Sequence, residues 1–589
     1  MFKNFRKLLL LFILFIPFTV FAYSNEKTVK IEFEKAELTD GARIRNSTDA
    51  SGGQYAYDTT CDEYKRDPET NLPTNECISW KYGTITVTYN AEKEGFYNLT
   101  ISTAHNSSKN KVQMLFINDE YQGDFTFNPA SSSTDFHEVD LGTIKLKKGD
   151  NKITIKGKYY FQSYDYLLIT PIDDIEPTSS TEKLIDPNAT AETVCLFNYL
   201  NSIYGKYTLS GQQEYHEDSA ERSREQEFNY IKEKTGKLPA IRGFDLSKET
   251  NPMYKVKDDG LINRIKEWVL DKGGIATISI DLRVPEDINK YINNTYSDDP
   301  YGNATPFPAE TNFDISNVFK ENTGEKKYID EFIKNIADKL KQLEEAKIPV
   351  ILRLMQESEG NGGVNGTGAW FWYGGQGNEN FIKLYRYFVD ELKNTYKLHN
   401  IIYTTTVYNT PNNSELWYPG DNYLDIIGYD RYTKTLPNPE YSPATSTFYN
   451  LIKTYSNKKM FSMAENDSII SSKKMKEEKS QWLYFLTWYG DYLMNEEHNT
   501  PEQLRETYNA ENVITLDELP DYRNMCFKKE EQEEKKEETT NKNDDETKEE
   551  KIVNPPTGTF LNLSLILIAS IIAIRLMMIA KKHNKFNKI

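Results

Sequence analysis

Val350-Ile351-Leu352-Arg353-Leu354-Met355-Gln356-Glu357 is an apolar run that delivers a carboxylate at its end. Lys459-Met460-Phe461-Ser462-Met463-Ala464-Glu465 repeats the pattern. Short apolar runs of this kind read as buried strands. Outward from these two, six more candidate strands are found: Tyr207–Gln213, Pro239–Asp245, Gly274–Leu282, Ile401–Tyr408, Leu424–Tyr432 and Trp482–Trp488. Helical stretches stand between most of them. Tyr328 to Glu345, for example, places Phe332, Ile333, Ile336, Leu340 and Leu343 at helical spacing. Eight strand–helix units between residues 190 and 526 predict an α/β fold, a (β/α)8 TIM barrel with enlarged loops. In a closed barrel the first and last elements are neighbours, so Cys195 and Cys526 are expected to form a disulfide tying its ends.

The flanks differ in kind. Residues 29–172 read as all-β, with alternating runs such as Thr84–Tyr89, Gln113–Asn118 and Lys152–Ile155 separated by turn signals at Glu94-Gly95, Asn118-Asp119 and Gly149-Asp150. This predicts a β-sandwich, a jelly-roll type of domain, joined to the barrel by a linker over residues 173–189. Cys61 and Cys77 flank a polar insertion in it and are expected to pair. Residues 1–22 carry Lys3, Arg6 and Lys7, an apolar stretch and a small-residue end at Ala22, the pattern of a signal peptide. Residues 528–553 form a charged stalk whose first part, Lys528 to Lys551, holds no Val, Leu, Ile or aromatic side chain. Residues 560–580 suit one membrane pass before a basic tail over 581–589. Between stalk and span, Asn554-Pro555-Pro556-Thr557-Gly558 is similar to variant sorting signals of Gram-positive surface proteins, so a sortase-type transpeptidase is one expected partner. A plain membrane anchor is the other reading. Both place the protein outside the cell, secreted and surface-attached.

The chain has 589 residues and a formal charge of −18, with 71 basic against 89 acidic side chains. So acidic a surface repels phosphate backbones and excludes nucleic acid as a partner. Its 40 Tyr, 29 Phe and 7 Trp leave rings for a binding surface as well as a core. The six His residues form no transition-metal spacing.

Barrel enzymes hold their reacting groups at the carboxyl ends of strands. Glu357 and Glu465 stand at the ends of the fourth and seventh strands, across the mouth from each other. Such a pair suits retaining glycoside hydrolysis, with one nucleophile and one acid/base. After Glu357 a glycine-rich loop ends in Trp370-Phe371-Trp372-Tyr373. Those rings are expected on the lip of a sugar cleft. Alternation puts Asp430 and Tyr432 on one face of the sixth strand, where the Tyr hydroxyl reaches the nucleophile. Trp488 is expected on the cleft floor, and Trp482 either there or in the core.

The segments Arg353–Gly360 with Trp370–Gly375, Trp417–Tyr432, Lys459–Ser468, Trp482–Gly490 and Val513–Pro520 resemble glycoside hydrolase family 26, in particular its endo-β-1,4-mannanases from Gram-positive bacteria. The resemblance covers residues 190 to 526. It implies Glu357 as acid/base and Glu465 as nucleophile, with Trp370, Asp430, Tyr432 and Trp488 shaping the subsite of the cleaved sugar; Arg353, Gln356 and Asp281 are further candidates for substrate binding. No cofactor is implied for the chemistry. The implied partner is β-mannan, galactomannan, glucomannan or a related plant polysaccharide. The sequence departs from the family pattern in three places. Gln356 replaces a His, Ile280-Asp281 replaces Trp-His, and Leu354 replaces a Pro. β-Glucanase or β-1,3-xylanase activity on the same fold is therefore an alternative, as is a glycan-binding adhesin without turnover.

In the sandwich, Ile31–Leu38, Gly95-Phe96-Tyr97, Phe116-Ile117-Asn118, Lys148–Ile153 and Tyr164–Leu167 are similar to carbohydrate-binding module family 35. That resemblance implies a structural Ca2+ held by Glu32, Glu34 and Asp165.

Overall fold

The structure is a computed structural model. It describes residues 28–525 except 40, 158–159, 178–182, 217–221, 255–257, 296–302, 361–363, 409–413, 433–443, 456–457 and 498. The signal peptide, the stalk, the sorting motif, the apolar span, the basic tail and Cys526 lie outside the described residues. Among the described residues no helix is long and apolar enough to cross a membrane.

Residues 29–172 fold as two antiparallel sheets face to face. Among the described residues one holds, in spatial order, His137–Leu146, Gly95–Ala104, Ser163–Ile172, Gln54–Tyr57 and Arg43–Asn46, with Val29–Glu32 also on Ser163–Ile172. The other runs Glu120–Phe127, Lys111–Ile117, Gly149–Gly157, Thr84–Ala91 and Glu37–Leu38. Alternation along each strand turns Ile85, Val87, Leu99, Ile101, Ile153, Ile155, Leu167 and Ile169 into one shared core. A separate two-stranded hairpin, Thr59–Arg66 with Pro73–Tyr82, leaves the sandwich and is stapled by the Cys61–Cys77 disulfide.

The second part is a closed parallel barrel. Its strands are β1 (Gly211–Gln213), β2 (Ile241–Asp245), β3 (Ile275–Ile280), β4 (Val350–Leu354), β5 (Ile401–Val407), β6 (Ile426–Arg431), β7 (Met460–Asn466) and β8 (Phe485–Thr487). All eight fall within the runs read from the sequence or within one residue of them. β1 is shorter than expected because Thr208–Leu209 pairs instead with Val513–Ile514. Thr323 caps the longest helix, Gly324–Glu345, whose Phe332, Ile333, Ile336, Leu340 and Leu343 are buried as their spacing predicts. β5 and β6 are joined, among the described residues, only by a short 3-10 turn at Ser414–Trp417.

Sandwich and barrel belong to one compact unit. The join is made by the helix Thr445–Thr454, which follows β6. Asn450 accepts the backbone N–H of Thr143, and Ser446 donates to Gln122 at 2.6 Å. Phe96 of the sandwich packs on Tyr449 with ring centroids 4.3 Å apart. Gly142 is required here: its φ is 79°, and a Cβ would sit 2.3 Å from Asn450 Oδ1. The expected linker thus joins two docked bodies. Cys195 is buried and disulfide-bonded within the helix Ala191–Ile203.

Candidate active site

Glu465 is the next-to-last residue of β7, opposite Asp430 of β6 in the register. Its carboxylate is held from two sides. Arg353, on β4, forms an ion pair with Oε1, and Tyr432 donates its hydroxyl to Oε2 at 2.5 Å. Arg353 also lies 3.4 Å from Asp430 Oδ2, which accepts the Thr406 hydroxyl at 2.7 Å. Arg353 and Asp430 are almost wholly buried beneath the cleft. A buried guanidinium is tolerated only when paired, and here two carboxylates pair with it. Burial works against its charge, but Glu465 and Asp430 keep it protonated.

Glu357 arrives differently. β4 ends at Leu354, so Glu357 is not the strand terminus that the sequence predicts. The chain turns through Met355 at φ 51° and Glu357 at φ 50°, left-handed positions that cost about 1–3 kcal/mol each for residues with a Cβ. Neighbours hold the turn. Thr406 accepts the Glu357 N–H at 3.1 Å, Thr405 donates to the Met355 carbonyl at 3.0 Å, and Tyr373 donates to the Gln356 carbonyl at 2.6 Å. Burial pushes the Glu357 carboxyl well above the usual range, and the nearby Asp430 and Glu465 push it the same way. Burial and Glu465 likewise raise Asp430. A carboxyl kept protonated faces one held by a cation and a phenol. That is the division of labour an acid and a nucleophile need.

These groups open into a cleft of about 460 Å3. Gln356, Glu357, Trp370, Tyr432, Glu465, Trp488 and Asp281 all line it, while Arg353 and Asp430 support it from below. The nine barrel residues read from the sequence are thereby brought to one place. Trp370 meets Tyr408 edge to face at 4.6 Å. The expectation of a four-ring lip is corrected: Trp370 and Phe371 line the cleft, but Trp372 and Tyr373 are buried in the core. Trp372 donates to the Leu282 carbonyl at 2.6 Å, so this ring braces the loop after β3. Trp482 is also core, stacked near Tyr429 with ring centroids 6.0 Å apart.

Further lining residues were not singled out in the sequence: His216, Asp245, Ser279, Arg283, Phe307 and Tyr492. Asp245 carried a readable signal, since Ile241-Arg242-Gly243-Phe244-Asp245 ends in a carboxylate as β7 does. Thr404-Thr405-Thr406 was a second one, three hydroxyls in a buried strand.

Two of the three expected metal residues, Glu32 and Asp165, meet at Ser51 in the sandwich. Ser51 donates its hydroxyl to Glu32 at 3.0 Å and its N–H to Asp165 at 2.9 Å. Glu32 Oε2 and Glu34 Oε2 are buried without a hydrogen-bond partner, and such oxygens fit a hard cation. Lys30 pairs with Glu32 at 3.1 Å. Among the described residues no three His, Cys, Asp or Glu side chains are already gathered as a metal site.

The family model for glycosyl hydrolase family 26 matches residues 185–518. The chain belongs to glycosyl hydrolase family 26. It is 26% identical over 520 residues to mannan endo-1,4-beta-mannosidase B of a Piromyces species, covering 87% of this chain and 80% of that one. It is 27% identical to the mannan endo-1,4-beta-mannosidase of Thermothelomyces thermophilus, over 74% of this chain and 84% of that one. Among solved structures, a ruminal GH26 endo-beta-1,4-mannanase matches with a TM-score of 0.60 at 32% identity, covering 84% of this chain and 99% of that one. The Podospora anserina GH26-CBM35 beta-(1,4)-mannanase matches with a TM-score of 0.51 at 26% identity, with the same coverage. This family 26 protein is therefore a glycoside hydrolase whose barrel follows a β-rich domain of the carbohydrate-binding-module kind.

Proposed function

We propose that the protein is an endo-acting, retaining hydrolase of β-1,4-mannosidic linkages in mannan, galactomannan or glucomannan. The observation that carries this reading is the unequal pair: Glu357, whose burial beside Asp430 and Glu465 favours the proton, and Glu465, clamped by Arg353 and Tyr432. Glu357 donates its proton to the leaving glycosidic oxygen as Glu465 attacks the anomeric carbon. Water, deprotonated by Glu357, then hydrolyses the glycosyl ester. The mannosidase activity named for the Piromyces and Thermothelomyces relatives supports the choice of substrate.

The sandwich is proposed to hold the polymer. Its hairpin exposes Tyr64, Trp80 and Tyr82 beside Phe161, and such rings stack on the C–H faces of pyranoses. Four of its charges are paired with one another, Lys65 with Glu76 and Lys81 with Asp62. Glu32, Glu34 and Asp165 are proposed to take a structural Ca2+ in place of the Lys30 ammonium. A thermal midpoint indifferent to chelator would remove that ion from the proposal. Attachment at the cell surface is proposed from the terminal segments of the sequence.

The deciding experiment is a reducing-sugar assay on glucomannan, galactomannan, barley glucan and β-1,3-xylan, with Glu465→Ala alongside. The expected result is product from the mannans and none with the variant. Full turnover by Glu465→Ala would refute the mechanism, product from glucan or xylan alone would replace the substrate, and binding without product from any polymer would favour an adhesin.

A further inference from the structure

One wall of the cleft is built from groups that the hydrolytic step does not use. Asp281 and Arg283 follow β3, with Arg283 Nε donating to Asp281 Oδ2 at 2.6 Å. Both side chains stay partly open, 25% and 34% exposed, and both line the cleft. The guanidinium also meets Tyr254, yet with five N–H donors it has further donors for other acceptors, and a carboxylate engaged at one oxygen keeps the other for a donor.

Four hydrogen bonds fix this pair. Ser247 accepts the Asp281 N–H at 2.5 Å, Trp372 donates to the Leu282 carbonyl, and Tyr328 and Asn251 donate to the Arg283 carbonyl at 2.8 and 3.2 Å. The wall is therefore preorganised from three separate segments, since Ser247 and Asn251 share one helix and its C-cap. Beside it, Asp245 accepts the Ser279 hydroxyl at 3.1 Å. Two polar atoms on the cleft lining, His216 Nδ1 and Gln356 Oε1, are buried without a hydrogen-bond partner. Buried groups left in this state suit a ligand that completes them.

A wall of alternating donors and acceptors matches a vicinal diol, in which each hydroxyl both donates and accepts. It does not match a carboxylated sugar, because Asp245 and Asp281 outnumber Arg283. We propose that Asp281 and Arg283, with Asp245 and His216 beside them, form a second subsite that reads the free vicinal hydroxyls of an uncharged hexosyl unit next to the one being cleaved. This rests on the hydrolase reading above and narrows its substrate to backbone units without O-substitution. Acylation of such a unit removes the hydroxyl donor and leaves a fixed buried acceptor unpaired, and sites of this type discriminate strongly.

The test compares a substrate that reaches the wall with one that does not. Asp281→Ala and Arg283→Ala are expected to lower kcat/KM on mannopentaose about 10- to 100-fold, mainly through KM, as loss of charge-assisted hydrogen bonds does. The loss on an aryl β-mannoside with a good leaving group, which spans a single sugar unit, should be clearly smaller than the loss on mannopentaose. The wild type should prefer deacetylated over acetylated mannan, and the variants should lose that preference. Equal losses on both substrates, or none on either, would overturn the proposal. Thermal midpoints and Arg283→Lys guard against misfolding, because a folded Lys variant with full pentaose activity also overturns it. If the wild type cleaves nothing in the panel, the hydrolase reading fails by itself. The subsite is then judged by titrating mannopentaose into wild type and Asp281→Ala, where tenfold weaker binding supports it and equal affinity refutes it.

Discussion

Thr406 on β5 carries no chemistry, yet its hydroxyl joins the two halves of the site. It accepts the backbone N–H of Glu357 at 3.1 Å and donates to Asp430 Oδ2 at 2.7 Å. Thr406→Val keeps the shape and removes both bonds. The loss of a hydrogen bond to a carboxylate is worth about 1.5–3 kcal/mol, and a buried N–H left unpaired costs about 1–3 kcal/mol. The added methyl returns about 0.8 kcal/mol of burial. A net destabilisation of about 2–5 kcal/mol is expected in denaturant unfolding, together with a fall in kcat of about 10- to 100-fold. KM should change little, because the lost bonds orient Glu357 in its left-handed turn and touch no sugar. The same donor holds down the Asp430 carboxyl, so the variant should also move the acid limb of the pH profile upward. Thr406→Ser restores both bonds and should restore most of both quantities. A Val variant with wild-type kcat and stability would refute the view that β5 positions the acid.

Two other outcomes follow from the same geometry. Because Glu357 is raised by burial and by its acidic neighbours, its protonated form is the active acid, so kcat/KM on polymer should fall as pH rises through its pKa. Glu357→Gln should abolish that alkaline limb and polymer hydrolysis together, while an aryl glycoside whose leaving group needs no proton still gives a burst of product. An unchanged alkaline limb in the variant would assign the acid to another residue. Trp80→Ala, on the stapled hairpin, should weaken retention of the protein on insoluble mannan while kcat on a soluble oligosaccharide stays unchanged. Undiminished retention would remove the hairpin from polymer binding.

What the sequence disclosed and what it withheld have physical reasons. A barrel strand buried on both faces needs an uninterrupted apolar run, so β4 and β7 were legible, and a carboxylate at the end of such a run stands out. The same rule placed Asp430 and Tyr432 together. It failed for Glu357 in detail, because no residue type marks Met355 and Glu357 for positive φ when neither is glycine. It failed for Trp372, where a glycine-rich neighbourhood suggested a mobile lip. That ring was needed instead as a donor under Leu282. The docking of sandwich on barrel was invisible because its hydrogen bond from Thr143 to Asn450 spans 307 residues.

The three departures from the family pattern were legible one by one, but their joint effect was not. Taken singly, Asp281 is an added negative charge in the cleft, and an uncompensated one would be costly there. Arg283, two residues on, cancels that cost, and only the turn after β3 brings the two side chains to 2.6 Å. Gln356 lines the same cleft with its amide oxygen unpartnered. A cleft that replaces ionisable imidazoles with an amide and a closed ion pair keeps its hydrogen-bonding capacity as pH changes. The proton chemistry is then left to the carboxyl groups of the site, Asp430 included. On that ground the pH profile of this protein should be set chiefly by the carboxyl groups, and Gln356→His should place a second imidazole on the lining beside His216 and add an ionisation to the profile.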